Sequence, residues 1–165
     1  MATTALKGNP VNTSGDLPAV GAVAPAFTLS NTDLSDLTLS SLQGTRVVLN
    51  IFPSVDTPTC AQSVRTFNEQ ASTLTNTKVV CVSQDLPFAM ARFCGAEGLE
   101  NVVSASAFRS SFAQDYGVKL LESKLAGLTA RAVIVLDENA KVLHCELVSE
   151  IASEPNYDAA LKVLA

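Results

Sequence analysis

The stretch 53-PSVDTPTC-60 separates the apolar run RVVLNIF (46–52) from a segment in which Val64, Phe67, Ala71 and Leu74 recur at helical spacing. The run reads as a buried strand, so the stretch is a strand-to-helix turn. Pro58 stands at the first helical position, where its missing N–H costs nothing and its φ is already helical. Thr57 is then the N-cap and Cys60 the third helical residue. The sulfur lies by the unpaired N–H groups of the first turn and the positive end of the helix dipole, a setting that favours thiolate over thiol. In a capping box an acid three residues after the cap reaches back to the cap N–H. Here Thr57-x-x-Cys60 puts sulfur in that place. A thiolate is expected in the same anionic niche, with the Thr57 hydroxyl as a nearby donor. A buried cysteine at a strand–helix junction is the plainer alternative. It leaves the Pro, Thr and Cys spacing without a reason, and a reactive thiol is the preferred reading.

Working outward, ALKGNPVNT (5–13) suggests a small hairpin turning at Gly-Asn-Pro. AFTLSNTD and LSDLTLSSL are short alternating stretches suited to half-exposed strands. RVVLNIF, KVVCVS (78–83) and RAVIVLD (131–137) are near-continuous aliphatic runs, suited to strands covered on both faces. KVLHCELV (141–148) alternates and pairs with RAVIVLD through the DENAK turn as an antiparallel hairpin. A second helix is expected from Asp85-Leu86-Pro87, with Asp85 as N-cap and Gly95 as stop. A shorter helix covers SAFRSSFAQDYG and a last one EPNYDAALKVLA. Strands and helices in alternation, closed by a hairpin and a helix, describe an α/β layer fold.

The 165 residues suit one domain, 1–165, with residues 1–14 as the hairpin segment. Apolar residues make up 47% and charged ones 16%, which excludes disorder over most of the length. A net charge of −5, with scattered Lys and Arg, argues against nucleic-acid or anionic-membrane partners. No segment approaches the length of a membrane span and no secretory signal is visible, so the expected location is cytoplasmic. Cys60, Cys81, Cys94 and Cys145 form no C-x-x-C pair, which argues against a zinc knuckle or a thioredoxin-type motif.

Pro53-x-x-x-Thr57-x-x-Cys60 resembles the active-site signature of the peroxiredoxins, which reduce hydroperoxides with a cysteine thiolate. The N-terminal hairpin, the turn APAFTL, the pair Cys60 and Cys94, and EPNYDAAL extend the likeness over essentially the whole chain, to the bacterial thiol peroxidases of the atypical two-cysteine type. The resemblance implies a thioredoxin-like fold, a central mixed sheet flanked by helices, with an added N-terminal β-hairpin. It also implies a homodimer, a hydroperoxide substrate (hydrogen peroxide or an organic hydroperoxide) and reduction by thioredoxin. By the same resemblance Cys60 is the peroxidatic cysteine and Cys94 the resolving one. Thr57 hydrogen-bonds thiolate and peroxide, Pro53 shields the sulfur from water, and Arg131 faces the site. The chemistry suits these residue types, because an arginine stays charged and offers donors in a fixed fork to the charge on the leaving oxygen. It calls for no metal or organic cofactor. Cys60 and Cys94 fall in different helices, and a disulfide needs Cα atoms within about 7 Å. Both segments are therefore expected to unwind locally to meet.

Blander readings stand beside these. Cys81, inside VVCVS, suits packing, as does Cys145, which alternation places on one face with Leu143 and Leu147, opposite His144 and Glu146. Cys94 follows Phe93 near a helix end and suits a core; Arg131 suits a strand-end charge, and Thr57 and Pro53 a plain cap and turn. His144, the single histidine, is expected to be solvated. It nevertheless raises a Cys–His hydrolase as the competing enzyme, in which the base must touch the sulfur. A thioredoxin-fold redox sensor without sustained turnover is the non-catalytic alternative.

Overall fold

The computed structural model describes residues 2–165; Met1, the start of the expected 1–14 hairpin segment, lies outside the described residues. A small sheet pairs β1 (Thr3–Leu6) with β2 (Asn9–Asn12), Leu6 opposite Asn9 and Thr3 opposite Asn12. The turn is Lys7-Gly8, not the expected Gly-Asn-Pro. Both residues have positive φ, 50° and 81°, as a tight hairpin requires. Pro10 lies inside β2 opposite Ala5, in a two-stranded sheet whose strands are both edges, where a missing N–H is tolerated.

The main sheet has seven strands in the order β4-β3-β7-β6-β5-β8-β9. They are β3 (Thr28–Asn31), β4 (Asp36–Thr38), β5 (Arg46–Ile51), β6 (Thr77–Ser83), β7 (Val103–Ser106), β8 (Ala132–Leu136) and β9 (Val142–Leu147). The pairs β5–β6 and β6–β7 are parallel; those of β3 with β4 and β7, and of β8 with β5 and β9, are antiparallel. This is the mixed sheet of a thioredoxin-like fold. The continuous apolar runs occupy β5, β6 and β8, and each buries both faces. Val47, Leu49 and Ile51 enter one core cluster, and Val48 enters the other with Val79, Cys81, Val133 and Val135. The strand β7 was not anticipated. Its VSAS sequence carries little β-branched signal, and its burial comes from α2 and the neighbouring strands.

The second cluster is covered by α1 (Pro58–Ala71), whose Cys60, Val64 and Phe67 are fully buried, and by Ala160 of α4 (Tyr157–Lys162). Tyr157 sets the edge of its ring on Phe67, with centroids 5.1 Å apart. Helix α2 (Pro87–Glu97) packs beside β7. It runs past the expected stop at Gly95 to Gly98, which takes the left-handed conformation at φ 67°, ψ 34°. Of SAFRSSFAQDYG only α3 (Phe112–Asp115) is helical.

The β8–β9 hairpin forms as expected, but a bulge sets Leu136 opposite Val142 and Val135 opposite His144. Leu143 is the extra residue. It packs against the helix-side cluster, whereas Cys145 and Leu147 pack on the other, so the face expected to hold all three is broken.

Candidate active site

The turn that ends β5 builds the site from local rules. Pro53 is buried, Thr57 is the N-cap at φ −103°, ψ 145°, and Pro58 opens the helix. Cys60, at the third position, is fully buried. Its sulfur meets Arg131, which comes from the residue just before β8. The Arg131 Nη2 donates to Cys60 Sγ at 3.2 Å, and Nε donates to the Ile151 carbonyl at 2.8 Å. The side chain is only 2% exposed, and Nη1 is buried without a hydrogen-bond partner among the described residues.

A guanidinium cannot lose its proton in a protein, so this is a buried cation. No carboxylate forms an ion pair with it among the described residues; its two acceptors are a sulfur and a carbonyl oxygen. Burying a charge is costly unless it is paired, and the side chain that meets this cation is Cys60.

Thr57 does not hold the sulfur in the way the capping-box reading expected. Its hydroxyl donates to the Ser54 carbonyl at 2.9 Å and so stiffens the loop before the helix. Asp85 is also placed differently. The N-cap of α2 is Leu86, extended as a residue before proline must be. The Asp85 carboxylate instead reaches across to the cysteine loop. It accepts from Ser54 Oγ at 2.6 Å, from the Val55 N–H at 2.8 Å and from Ser83 Oγ at 2.5 Å. Asp85 and Ser54 were missed because their partnership spans 31 residues and leaves no local pattern.

Cys94 lies in the last turns of α2, half-buried, with Sγ 3.1 Å from Ser104 Oγ on β7. Cys60 and Cys94 are both free thiols in this structure. Cys81 is fully buried, and desolvation pushes its thiol up to about 12. It packs in the helix-side core, as expected. Burial also raises the Cys145 thiol.

His144 is half-buried rather than solvated. It faces Val135, four residues along the strand from Arg131, and its Nε2 is buried without a partner. No hydrogen bond joins it to Cys60, so the base that a Cys–His hydrolase requires is not supplied. Among the described residues no cluster of His, Cys, Asp and Glu is arranged to hold a metal, and no helix is long and apolar enough to cross a membrane.

Comparison with known proteins finds the Redoxin family model matching residues 19–161. A thiol peroxidase of Mycobacterium tuberculosis is 57% identical over 164 residues, 99% of each chain. One of Corynebacterium glutamicum has the same identity and coverage. Among solved structures, a peroxiredoxin-like protein from Aquifex aeolicus superposes with a TM-score of 0.93 at 40% identity, covering 99% of this chain and 96% of that one. A thiol peroxidase from Chromobacterium violaceum gives 0.88 at 26% identity, covering 98% and 94%.

Proposed function

This chain belongs to the Redoxin family and is a thiol-dependent peroxidase of the peroxiredoxin type, and from that premise we propose a two-cysteine cycle run by Cys60 and Cys94. The observation that carries it is the buried Arg131, with Nη2 on the Cys60 sulfur and Nη1 unpartnered. A hydroperoxide entering beside the sulfur finds in Nη1 a fixed donor for its oxygens. The Cys60 thiolate attacks the terminal hydroxyl oxygen. An S–O bond forms, the O–O bond breaks, and the electron pair leaves on the other oxygen as hydroxide or alkoxide. That oxygen takes up a proton and departs as water or alcohol. The arginine is aimed where the leaving charge grows, without reorganising in the step. Pro53, buried next to the loop, keeps bulk water from the sulfur. Thr57, through Ser54, fixes the loop that carries it.

The product is Cys60 sulfenic acid. The Cys94 thiolate attacks its sulfur, hydroxide leaves and is protonated to water, and a disulfide closes before further oxidation. A thioredoxin-type dithiol then restores both thiols by exchange. The cycle uses no metal or organic cofactor. The chain works as one domain in the cytoplasm, as a homodimer, on hydrogen peroxide and organic hydroperoxides.

The test is peroxide consumption coupled to thioredoxin, thioredoxin reductase and NADPH. Cys60→Ser is expected to abolish turnover and Cys94→Ser to impair it with this reductant. Wild-type protein that reacts once and stops would favour the redox-sensor alternative, and turnover indifferent to Cys94 would move the resolving thiol elsewhere.

A further inference from the structure

The N-terminal hairpin stands apart from the main sheet. Its second strand bonds Leu121 and Glu122 through Asn12, while its first strand and its turn bond one loop, residues 148–152. Buried Thr4 donates its hydroxyl to the Val148 carbonyl at 2.8 Å, and the Ile151 N–H donates to the Ala5 carbonyl at 2.8 Å. At the hairpin turn, the Lys7 and Gly8 N–H groups donate to the Glu150 carboxylate at 3.2 and 2.8 Å. The same carboxylate accepts the Ala152 N–H at 3.0 Å. Three backbone donors thus meet one side chain, and they hold its carboxyl below the usual range.

Both sides of the sulfur are held by this loop. The Ile151 carbonyl takes the Arg131 Nε–H, and the Ala152 carbonyl takes the Thr59 hydroxyl at 3.0 Å, one residue before Cys60. The Val148 N–H donates to the Arg131 carbonyl at 3.0 Å, so the arginine is gripped by backbone and side chain alike. The positive φ at Lys7 and Gly8 turns two successive N–H groups onto Glu150.

We propose that Glu150 and the hairpin turn form a clamp that positions Arg131 against Cys60, making Glu150 a positioning residue for the peroxide step. The clamp rests on the assignment of Arg131 as the donor to the peroxide. The continuous chain is Gly8 N–H to Glu150, the 150–152 backbone to Arg131, and Arg131 to sulfur. Its effect passes through the guanidinium, because Ile151 supplies the one acceptor that fixes Nε. A small displacement of a positioned group lowers a rate steeply. Without the clamp, the arginine keeps its charge but loses its aim. Glu150 is only half-buried, and its removal leaves no cavity in either core cluster.

The test is rapid mixing of reduced protein with hydrogen peroxide, reading the bimolecular rate of Cys60 oxidation in wild type, Glu150→Ala, Arg131→Gln and the double variant. Reduction of the Cys60–Cys94 disulfide by dithiothreitol serves as the control step. Glu150→Ala is expected to slow oxidation by about tenfold, the effect of misplacing a positioned group. It leaves the dithiothreitol step unchanged and adds nothing in the Arg131→Gln background. Glu150→Gln keeps one acceptor oxygen for the turn and falls between wild type and Glu150→Ala. An unchanged oxidation rate in Glu150→Ala, with Arg131→Gln slow, overturns the clamp alone. An equal loss in both backgrounds also overturns it, because the glutamate then acts without the arginine. A silent Arg131→Gln removes the role of the arginine, and the clamp falls with it.

Discussion

The two helices that carry Cys60 and Cys94 are held very differently. In α1, Cys60, Ala61, Ser63, Val64 and Phe67 are buried, and the helix lies over the sheet with its cysteine in the core. In α2, only Pro87 and Met90 are buried, both in the first half, and the end bearing Cys94 is half-buried or exposed. That end is tied to α1 from outside, by the Arg65–Glu97 pair at 2.8 Å and by Arg65 over the Phe93 ring at 5.8 Å. Exposed pairs of this kind contribute little to stability. The difference suits the roles proposed for the two thiols. Cys60, proposed to attack the peroxide, is fixed where Arg131 is fixed, and Cys94, proposed to resolve, sits on a segment with few buried contacts to hold it closed.

The largest expected break in this comparison is a truncation on each helix. Phe67→Ala should destabilise the protein by about 3–5 kcal/mol, as a large-to-small change in a closed core does. Phe93→Ala, on the half-exposed end of α2, should cost less than about 1.5 kcal/mol, near the centre of ordinary substitutions. Urea unfolding of both variants checks this, and equal losses would remove the asymmetry.

A smaller change sharpens it. Gly95 lies inside α2, and a Cβ there meets nothing within 4 Å. Gly95→Ala should stabilise the helix by about 0.5–1 kcal/mol. It should also slow closure of the Cys60–Cys94 disulfide and raise the fraction of Cys60 carried to sulfinic acid at high peroxide, read by mass spectrometry. Faster closure would mean that α2 does not unwind.

The smallest effect is the outer tie. The Arg65 hydrogen bond holds the Glu97 carboxyl below its ordinary value of 4.5. A carboxyl depressed in the folded state adds stability that is complete above its unfolded value and lost as pH falls through the folded one. Cys94-bearing amides should therefore exchange faster, relative to the β5 core, below about pH 4. Glu97→Gln should flatten that pH dependence.

Cys60 was legible because everything that places it is local: a strand end, a cap, a proline at the first helical position, and a three-residue step to the sulfur. The central strands were legible for the same reason, as unbroken apolar runs. What pairs with the sulfur was not local. Arg131 is 71 residues from Cys60, and its burial is decided by Ile151 and by packing, so only family resemblance separated it from the other arginines. Asp85 looked like a helix cap because its neighbours in sequence allow one; its carboxylate goes to Ser54 and Val55 because the loop leaves those donors unpaired otherwise. Glu150 was not legible, since two of its three partners are backbone N–H groups more than 140 residues away and the third, the Ala152 N–H, makes only an ordinary local turn. The hairpin turn was misplaced by reading Pro10 as a turn residue, when positive φ at Lys7 and Gly8 sets the register.

Amide hydrogen exchange across residues 58–71 and 87–97, in the reduced protein and in the Cys60–Cys94 disulfide form, reads the unequal hold on the two helices directly. Residues 87–97 should be the less protected segment when reduced. On oxidation it should lose protection together with the first turn of α1, while the rest of α1 keeps its own. Equal protection of both segments, unchanged by oxidation, would contradict it.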